Sequence, residues 1–398
     1  MAAGLQRVAD SGEAAQGPLV VLAPDKFKGS LTAAQVADAL GRGLRRHLPG
    51  VRLRVHPIAD GGDGTVALVL DHGFEPVVRD VSGPVGGTVR ATYALRGDTA
   101  IVEMAAAAGL SLVPGGPDDR SARAASTFGV GELISDALDR GARRIVLAVG
   151  GSATTDGGAG MVAALGARVV TGDGSAPAPG GEGLLGVERL ELAGLDPRLE
   201  SATVLVACDV DNPLTGVHGA AAVYGPQKGA ASGTVRLLDR ALDRWADVVA
   251  TATGRDLREL PGAGAAGGLG FGAAAVLGAR VVSGVEYLLE LSGFGESVAG
   301  ADLVVVGEGS LDEQSLRGKG PVGVAGAAVR TGARVVAVAG RSAVDGERLR
   351  AAGISAVYTL AELEPDLGRS MAGAAGLLER IAARVVADWL AGETLDNR

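Results

Sequence analysis

The chain has 398 residues, 47% of them hydrophobic and 21% charged, which favours two or three globular domains with ample core. A formal net charge of −9 with only 3% aromatics argues against a nucleic-acid partner, although a few cations and backbone N–H groups can still make a local anion site. No run reaches the ~20 apolar residues of a membrane span, and the single cysteine, Cys208, allows no internal disulfide, so a cytoplasmic setting without a membrane partner is expected.

The chain opens with "MAAGLQRVADSGEAAQGP", which carries acids and no apolar segment of signal-peptide length, and residues 1–18 are expected to form a disordered tail. Leu19 to Ala23 reads as a buried strand. Leu31 to His47 has helical spacing, with Ser30 or Thr32 as its cap. Val51 to Ile58 reads as a second strand, and "ADGGDGT" then leads into another helix. Short strands at hairpin spacing follow at Val77 to Asp80, Thr88 to Leu95 and Thr99 to Met104. Next come a helix over Ser121 to Arg140, a strand over Arg144 to Val149, a glycine loop and a long helix near Val235 to Thr253. The β-α rhythm resumes with strands at Asp302 to Val306, Ala333 to Ala339 and Ala356 to Leu360. Helices are expected at Pro321 to Arg330, Asp345 to Ala352 and Met371 to Leu390. Continuous apolar strands alternating with helices imply a parallel sheet covered on both faces. Residues 19–74 and 286–398 are therefore read as a discontinuous, flavodoxin-like α/β domain. Residues 75–285 are read as a second α/β domain inserted into it.

Chemistry-bearing residues collect after the strands of the first domain: "PDKFKGS", "ADGGDGT", "GEGSLDEQSLRGK" and "GRSAVD". Open α/β sheets place ligands outside the carboxyl ends of their strands. These turns bring Asp25, Lys26, Lys28, Asp60, Asp63, Glu308, Asp312, Lys319 and Arg341 to one edge. Mixed carboxylates and cations suit a polyphosphate with Mg²⁺, which prefers one or two carboxylates plus phosphate and water. Singly, each of these residues is also an ordinary turn or surface residue. In the inserted domain, "IVLAVGGSATTDGGAGM" reads as strand, glycine loop and helix start, where free N–H groups make an anion site; a capped helix packed on its strand is the plain alternative. "CDVDNPLTGVHGAAAVYGPQKGA" sets Asp209 and Asp211 just past a strand, as a shared metal site or as simple turn formers, with Lys228 further on. "GAGAAGGLGFG" contains a GxGxxG match but follows "DLRELP" rather than a strand, so the dinucleotide reading fails.

These ordered motifs, from "APDKFKGSLTAAQVADAL" through "GGSATTDGGAGM" to "DLVVVGEGSLDEQSLRGKGPVGVA", closely resemble the glycerate kinase type I family over about Leu19 to Leu390. The resemblance implies a flavodoxin-like domain with an inserted α/β domain and an active site in the cleft between them. It implies a cytoplasmic kinase using ATP and Mg²⁺ to phosphorylate D-glycerate, at the 2-hydroxyl in members of this type; a glycerate 3-kinase is the alternative regiochemistry. Lys26, Asp63, Thr155 and Tyr224 stand where the family commonly has Ser, Glu, Asn and Phe.

Phosphoryl transfer asks mainly for positioning and charge stabilisation. Asp60 or Asp25 is expected to be the base, with Lys28 orienting glycerate. Gly150, Gly151, Ser152, Lys228, Glu308, Asp312 and Lys319 are expected to bind nucleotide or phosphate. Asp209, Asp211 and Glu308 are the candidate metal ligands. A monomer and a homodimer both fit. A non-catalytic two-lobed anion binder and a nucleotide-cofactor dehydrogenase are the competing classes, the latter resting on fold analogy alone.

Overall fold

Runs of β-branched residues supply the frame of a computed structural model that describes residues 17–56, 58, 62, 64–312, 315–317 and 320–391. Most of the tail expected over 1–18 lies outside the described residues, as do Asp60, Asp63 and Lys319. Among the described residues the strands are, in chain order, β1 (Leu19–Pro24), β2 (Arg52–Val55), β3 (Glu75–Ser82), β4 (Thr88–Arg96), β5 (Thr99–Glu103), β6 (Arg144–Ala148), β7 (Arg168–Thr171), β8 (Val187–Glu191), β9 (Thr203–Ala207), β10 (Arg280–Val282), β11 (Leu303–Leu311), β12 (Arg334–Ser342) and β13 (Ala356–Thr359). The chain divides into two compact units. One takes the described parts of Met1–Pro57, Gly295–Asp312 and Ala325–Arg398; the other takes those of Ile58–Phe294 and Glu313–Val324.

The first unit holds a parallel sheet in the order β13-β12-β11-β1-β2. Counted along the chain within this sheet, that order is 2-1-3-4-5, the flavodoxin-like arrangement expected from the sequence. β1 is buried throughout, as a strand covered on both faces must be. The helix Ala33–His47 opens with a capping box: Thr32 Oγ1 accepts the Gln35 N–H at 3.2 Å and Gln35 Oε1 accepts the Thr32 N–H at 2.9 Å. Its buried face shares a core with Val20, Leu22, Val305, Val336 and the helix Ala374–Val385.

Two strands of this sheet run further than their apolar cores suggest. β11 was expected to stop at Val306 and β12 at Ala339. They continue to Leu311 and Ser342, pairing Glu308 with Ala339 and Ser310 with Arg341. Two glycines make room for that extension. A Cβ at Gly309 would sit 3.2 Å from the Lys28 nitrogen, and one at Gly340 would overlap the Gly309 carbonyl.

The second unit is built on a mixed sheet ordered β10-β9-β6-β5-β4-β3. β3, β4 and β5 are antiparallel neighbours, as their hairpin spacing predicts, and β5, β6, β9 and β10 are parallel. β7 and β8 form a separate antiparallel pair. The core joins Ile145, Leu147, Val204 and Val206 of the sheet to Leu133, Ile134, Trp245 and Phe271. The sequence boundary at 74/75 falls inside this unit, because the helix Thr65–Leu70 packs Val66 and Val69 against Phe74, Ala94, Ile101 and Leu205. At its far end the unit runs to Phe294 rather than 285. The single helix expected over Ser121 to Arg140 is two, Asp119–Ala124 and Phe128–Asp139. Between them the Ser126 N–H goes to the Pro84 carbonyl at 2.8 Å, and the Thr127 N–H goes to Asp156 Oδ2 at 2.8 Å.

Candidate active site

In the first unit, β1 lies between β2 and β11, so the chain's path reverses at the β1/β11 pair. That switch point is where open α/β sheets bind ligands, outside the carboxyl ends of the strands. Pro24 pairs with Gly307, and the next residue on each strand is acidic: Asp25 and Glu308. The Asp25 N–H donates to the Gly307 carbonyl at 2.8 Å, which extends the ladder into the turn. Asp25 Oδ1 accepts the Lys26 N–H at 2.6 Å. Phe27 is buried in the core and exchanges backbone hydrogen bonds with Leu31, at 2.8 and 3.0 Å. That anchor fixes a tight turn and leaves Lys28 exposed beside it. Glu308 is half-buried, Asp312 is exposed, and the Arg341 Nε donates to Ser310 Oγ at 3.3 Å. Asp25, Lys28, Glu308, Asp312 and Arg341 thus stand on or just after three adjacent strand ends.

The second unit carries the turn that follows Asp60 and Asp63. Here Glu103, at the end of β5, was not singled out from the sequence. Its Oε1 accepts the Gly64 N–H and its Oε2 the Val66 N–H, both at 3.1 Å. A carboxylate across the first N–H groups of the helix Thr65–Leu70 is favourable with the helix dipole. Thr65 Oγ1 closes the same turn by donating to the Gly62 carbonyl at 2.7 Å. A carboxylate ending a strand was the available signal, but its partners lie 39 and 37 residues away in sequence.

The glycine loop after β6 has two halves with different character. Its first half bridges to Gly109: the Leu110 N–H donates to the Gly151 carbonyl at 2.8 Å and the Ala153 N–H to the Ala108 carbonyl at 2.9 Å. Gly151 has φ 68°, in the left-handed region. Among the described residues, the N–H groups of Gly150, Gly151 and Ser152 and the Ser152 hydroxyl have no hydrogen-bond partner. Consecutive N–H groups around a left-handed residue are anion-binding concavities.

The second half of the loop is buried and fully engaged. Asp156 is 1% exposed, and its carboxylate accepts the Thr127 N–H (2.8 Å) and Oγ1–H (2.9 Å) and the Gly158 and Gly160 N–H groups (3.2 Å each). It therefore serves the starts of two helices, Phe128–Asp139 and Ala159–Ala164. Burial pushes its pKa up, while these donors hold it down. The Trp245 indole N–H donates to the Gly157 carbonyl at 3.0 Å. The segment that failed the dinucleotide test packs here. Ala266, Gly267 and Gly268 are all left-handed, and a Cβ at Gly267 would overlap the Thr154 carbonyl. Lys228 is 1% exposed, and its Nζ donates to that same carbonyl at 2.6 Å. Thr155 Oγ1 is buried without a hydrogen-bond partner.

Asp209, expected beside Asp211 as a metal ligand, caps the helix Gly284–Leu291. Its Oδ1 accepts from Ser283 Oγ and the Gly284 N–H, both at 2.9 Å, and its Oδ2 from the Val285 N–H at 3.1 Å. These bonds span 74 to 76 residues, so they form a long-range helix cap rather than a local turn. Asp211 is exposed. Among the described residues no three His, Cys, Asp or Glu side chains gather as a metal centre. Cys208 is buried at the end of β9. No helix among the described residues is long and apolar enough to cross a membrane.

Residues 20–390 match the model of the glycerate kinase family. A glycerate kinase of Halalkalibacterium halodurans is 45% identical, over 93% of this chain and 98% of its own length. A glycerate 2-kinase of Escherichia coli K12 is 40% identical, over 94% of this chain and 98% of its own. A crystal structure from Salmonella typhimurium LT2, of a protein provisionally named glycerate kinase 2, superposes with a TM-score of 0.77 at 41% identity, covering 95% of this chain and all of that one. With the parallel-sheet architecture and the charged strand ends, these matches establish that the chain is an enzyme of the glycerate kinase family.

Proposed function

We propose that this enzyme transfers the γ-phosphoryl group of ATP to the 2-hydroxyl of D-glycerate, giving 2-phosphoglycerate and ADP. The observation that carries the reading is the set of acidic and basic residues on adjacent strand ends at the β1/β11 switch point. The similarity to a relative named as a glycerate 2-kinase supports the choice of hydroxyl. Asp60 or Asp25 takes the proton of the attacking hydroxyl, and Lys28 orients the glycerate carboxylate. Glu308 and Asp312 serve the metal–nucleotide complex, and Lys319 serves its phosphates. The free N–H groups of Gly150, Gly151 and Ser152 act as oxygen-binding donors. Mg²⁺ fits Glu308, since this ion takes one or two carboxylates and completes its shell with phosphate and water. When bound, it supplies charge neutralisation on the transferring phosphoryl group.

Incubation with ATP, Mg²⁺ and D-glycerate should release ADP. Enolase added without a mutase should consume the product directly, because enolase uses only 2-phosphoglycerate. Consumption that waits for phosphoglycerate mutase would make the enzyme a 3-kinase, and absence of ADP would remove D-glycerate as its acceptor. Asp60→Asn and Asp25→Asn, purified and folded, separate the candidate bases. The true base loses roughly two to four orders of magnitude in kcat, and the other loses less.

A further inference from the structure

Lys228 ends the short turn Pro226–Lys228 and carries a charge-bearing side chain into the core of the second unit. Its sequence context suggests a phosphate contact. Lysine is almost never fully buried unless paired. Here the Asp156 carboxylate acts through its charge, opposing the burial that pushes Lys228 down to about 7. A methionine would fill similar volume without that desolvation cost. What the amine adds is one directed hydrogen bond, to the Thr154 carbonyl at 2.6 Å. That carbonyl is held from two directions. Lys228 grips the oxygen, and Gly267 lies against it with no room for a Cβ. Thr154 Oγ1 also donates to the Ala266 carbonyl at 3.4 Å. Two residues upstream ends the run of free N–H groups at Gly150, Gly151 and Ser152.

We infer that Lys228 is a positioning residue: through the Thr154 carbonyl it fixes the Gly150–Ser152 turn for phosphoryl transfer, and it touches no phosphate itself. The inference rests on the proposed role of that turn as an oxygen-binding element. It also gives the "GAGAAGGLG" segment a purpose, as the opposite jaw on the same carbonyl.

The test uses the full chain with Lys228→Met, and Lys228→Gln as a second variant should the first not fold. Two readouts are taken: steady-state kinetics per folded enzyme, and amide hydrogen exchange resolved over residues 150–155. The expected result is faster exchange in that segment at Ala153, whose N–H is bonded to the Ala108 carbonyl, a loss in kcat of roughly 10²-fold from misplaced donors, and a KM for ATP within threefold of wild type. A KM for ATP raised more than tenfold, with exchange over 150–155 unchanged, would make Lys228 a phosphate contact and overturn the inference. Unchanged exchange with unchanged kinetics would overturn it too. Faster exchange with wild-type kcat would leave the anchor intact but remove the turn from the chemistry, defeating the proposed role of Gly150–Ser152 and the inference with it.

Discussion

The two glycine-rich regions handle charge in opposite ways. At the β1/β11/β12 edge, glycines let three backbones crowd together, and the charged residues between them stay at least partly exposed: Lys28, Asp312 and Arg341 are exposed and Glu308 is half-buried. In the loop after β6, glycines again bring backbones together, but Asp156 and Lys228 are sealed inside and committed to backbone groups. An Asp or a Lys in a motif is therefore not by itself a reacting group. Where it is buried, its hydrogen-bonding capacity goes to holding the chain. Where it stays wet, a ligand can reach it.

That contrast can be broken most severely at Asp156. Asp156→Ala leaves the Thr127, Gly158 and Gly160 N–H groups without their acceptor and Lys228 without its counter-charge. It should destabilise the protein by about 3–5 kcal/mol, measured by urea unfolding. A variant of normal stability with a purely kinetic defect would move this loop into the reacting class. The same pair gives a pH signature. Lys228 titrates at about 7 when folded, against 10.5 ordinarily, so above pH 7 the unfolded chain holds the extra proton. Stability should therefore rise with pH between those values, and this rise should be missing from Lys228→Met.

At the wet edge the order of effects reverses. Glu308→Gln should lower kcat/KM by about 10²-fold while shifting the unfolding free energy by less than ~0.5 kcal/mol. A loss of stability without a kinetic change would show that Glu308 belongs with Asp156. Thr32→Ala, at a cap remote from either group of charges, should cost ~1 kcal/mol with unchanged kinetics. The exposed Arg168–Glu191 pair, at 2.8 Å, should contribute about 0.5 kcal/mol or less in a double-mutant cycle, since solvent screens it.

The parallel sheet was legible because runs such as "LVVLA" and "VVAVA" are apolar without interruption, as strands covered on both faces are. Asp25, Lys28 and Glu308 were legible for a related reason: once the strands are placed, their carboxyl ends are placed too. The continuations of β11 and β12 past Gly307 and Gly340 were not, because a glycine that permits close packing looks the same as one that ends a strand. Nor was the helix break at Ala125–Thr127, whose cause, Asp156, lies 29 residues downstream of Thr127. The burial of Lys228 was hidden because nothing local distinguishes a sealed lysine from a surface one. Its partners, Thr154 and Asp156, come 74 and 72 positions earlier in the chain.

The sheet of the first unit has a consequence for how the protein is made. β1 is made well before its neighbour β11, which begins only at Leu303, after residues 58–294 of the second unit have been synthesised. Until then β1 and β2 offer an unpaired apolar margin, the kind of edge that invites association between nascent chains. The second unit can complete its own core during that wait. Translation past residue 311 then supplies the missing strand, so chains truncated before it should accumulate as aggregates rather than as half-active enzyme.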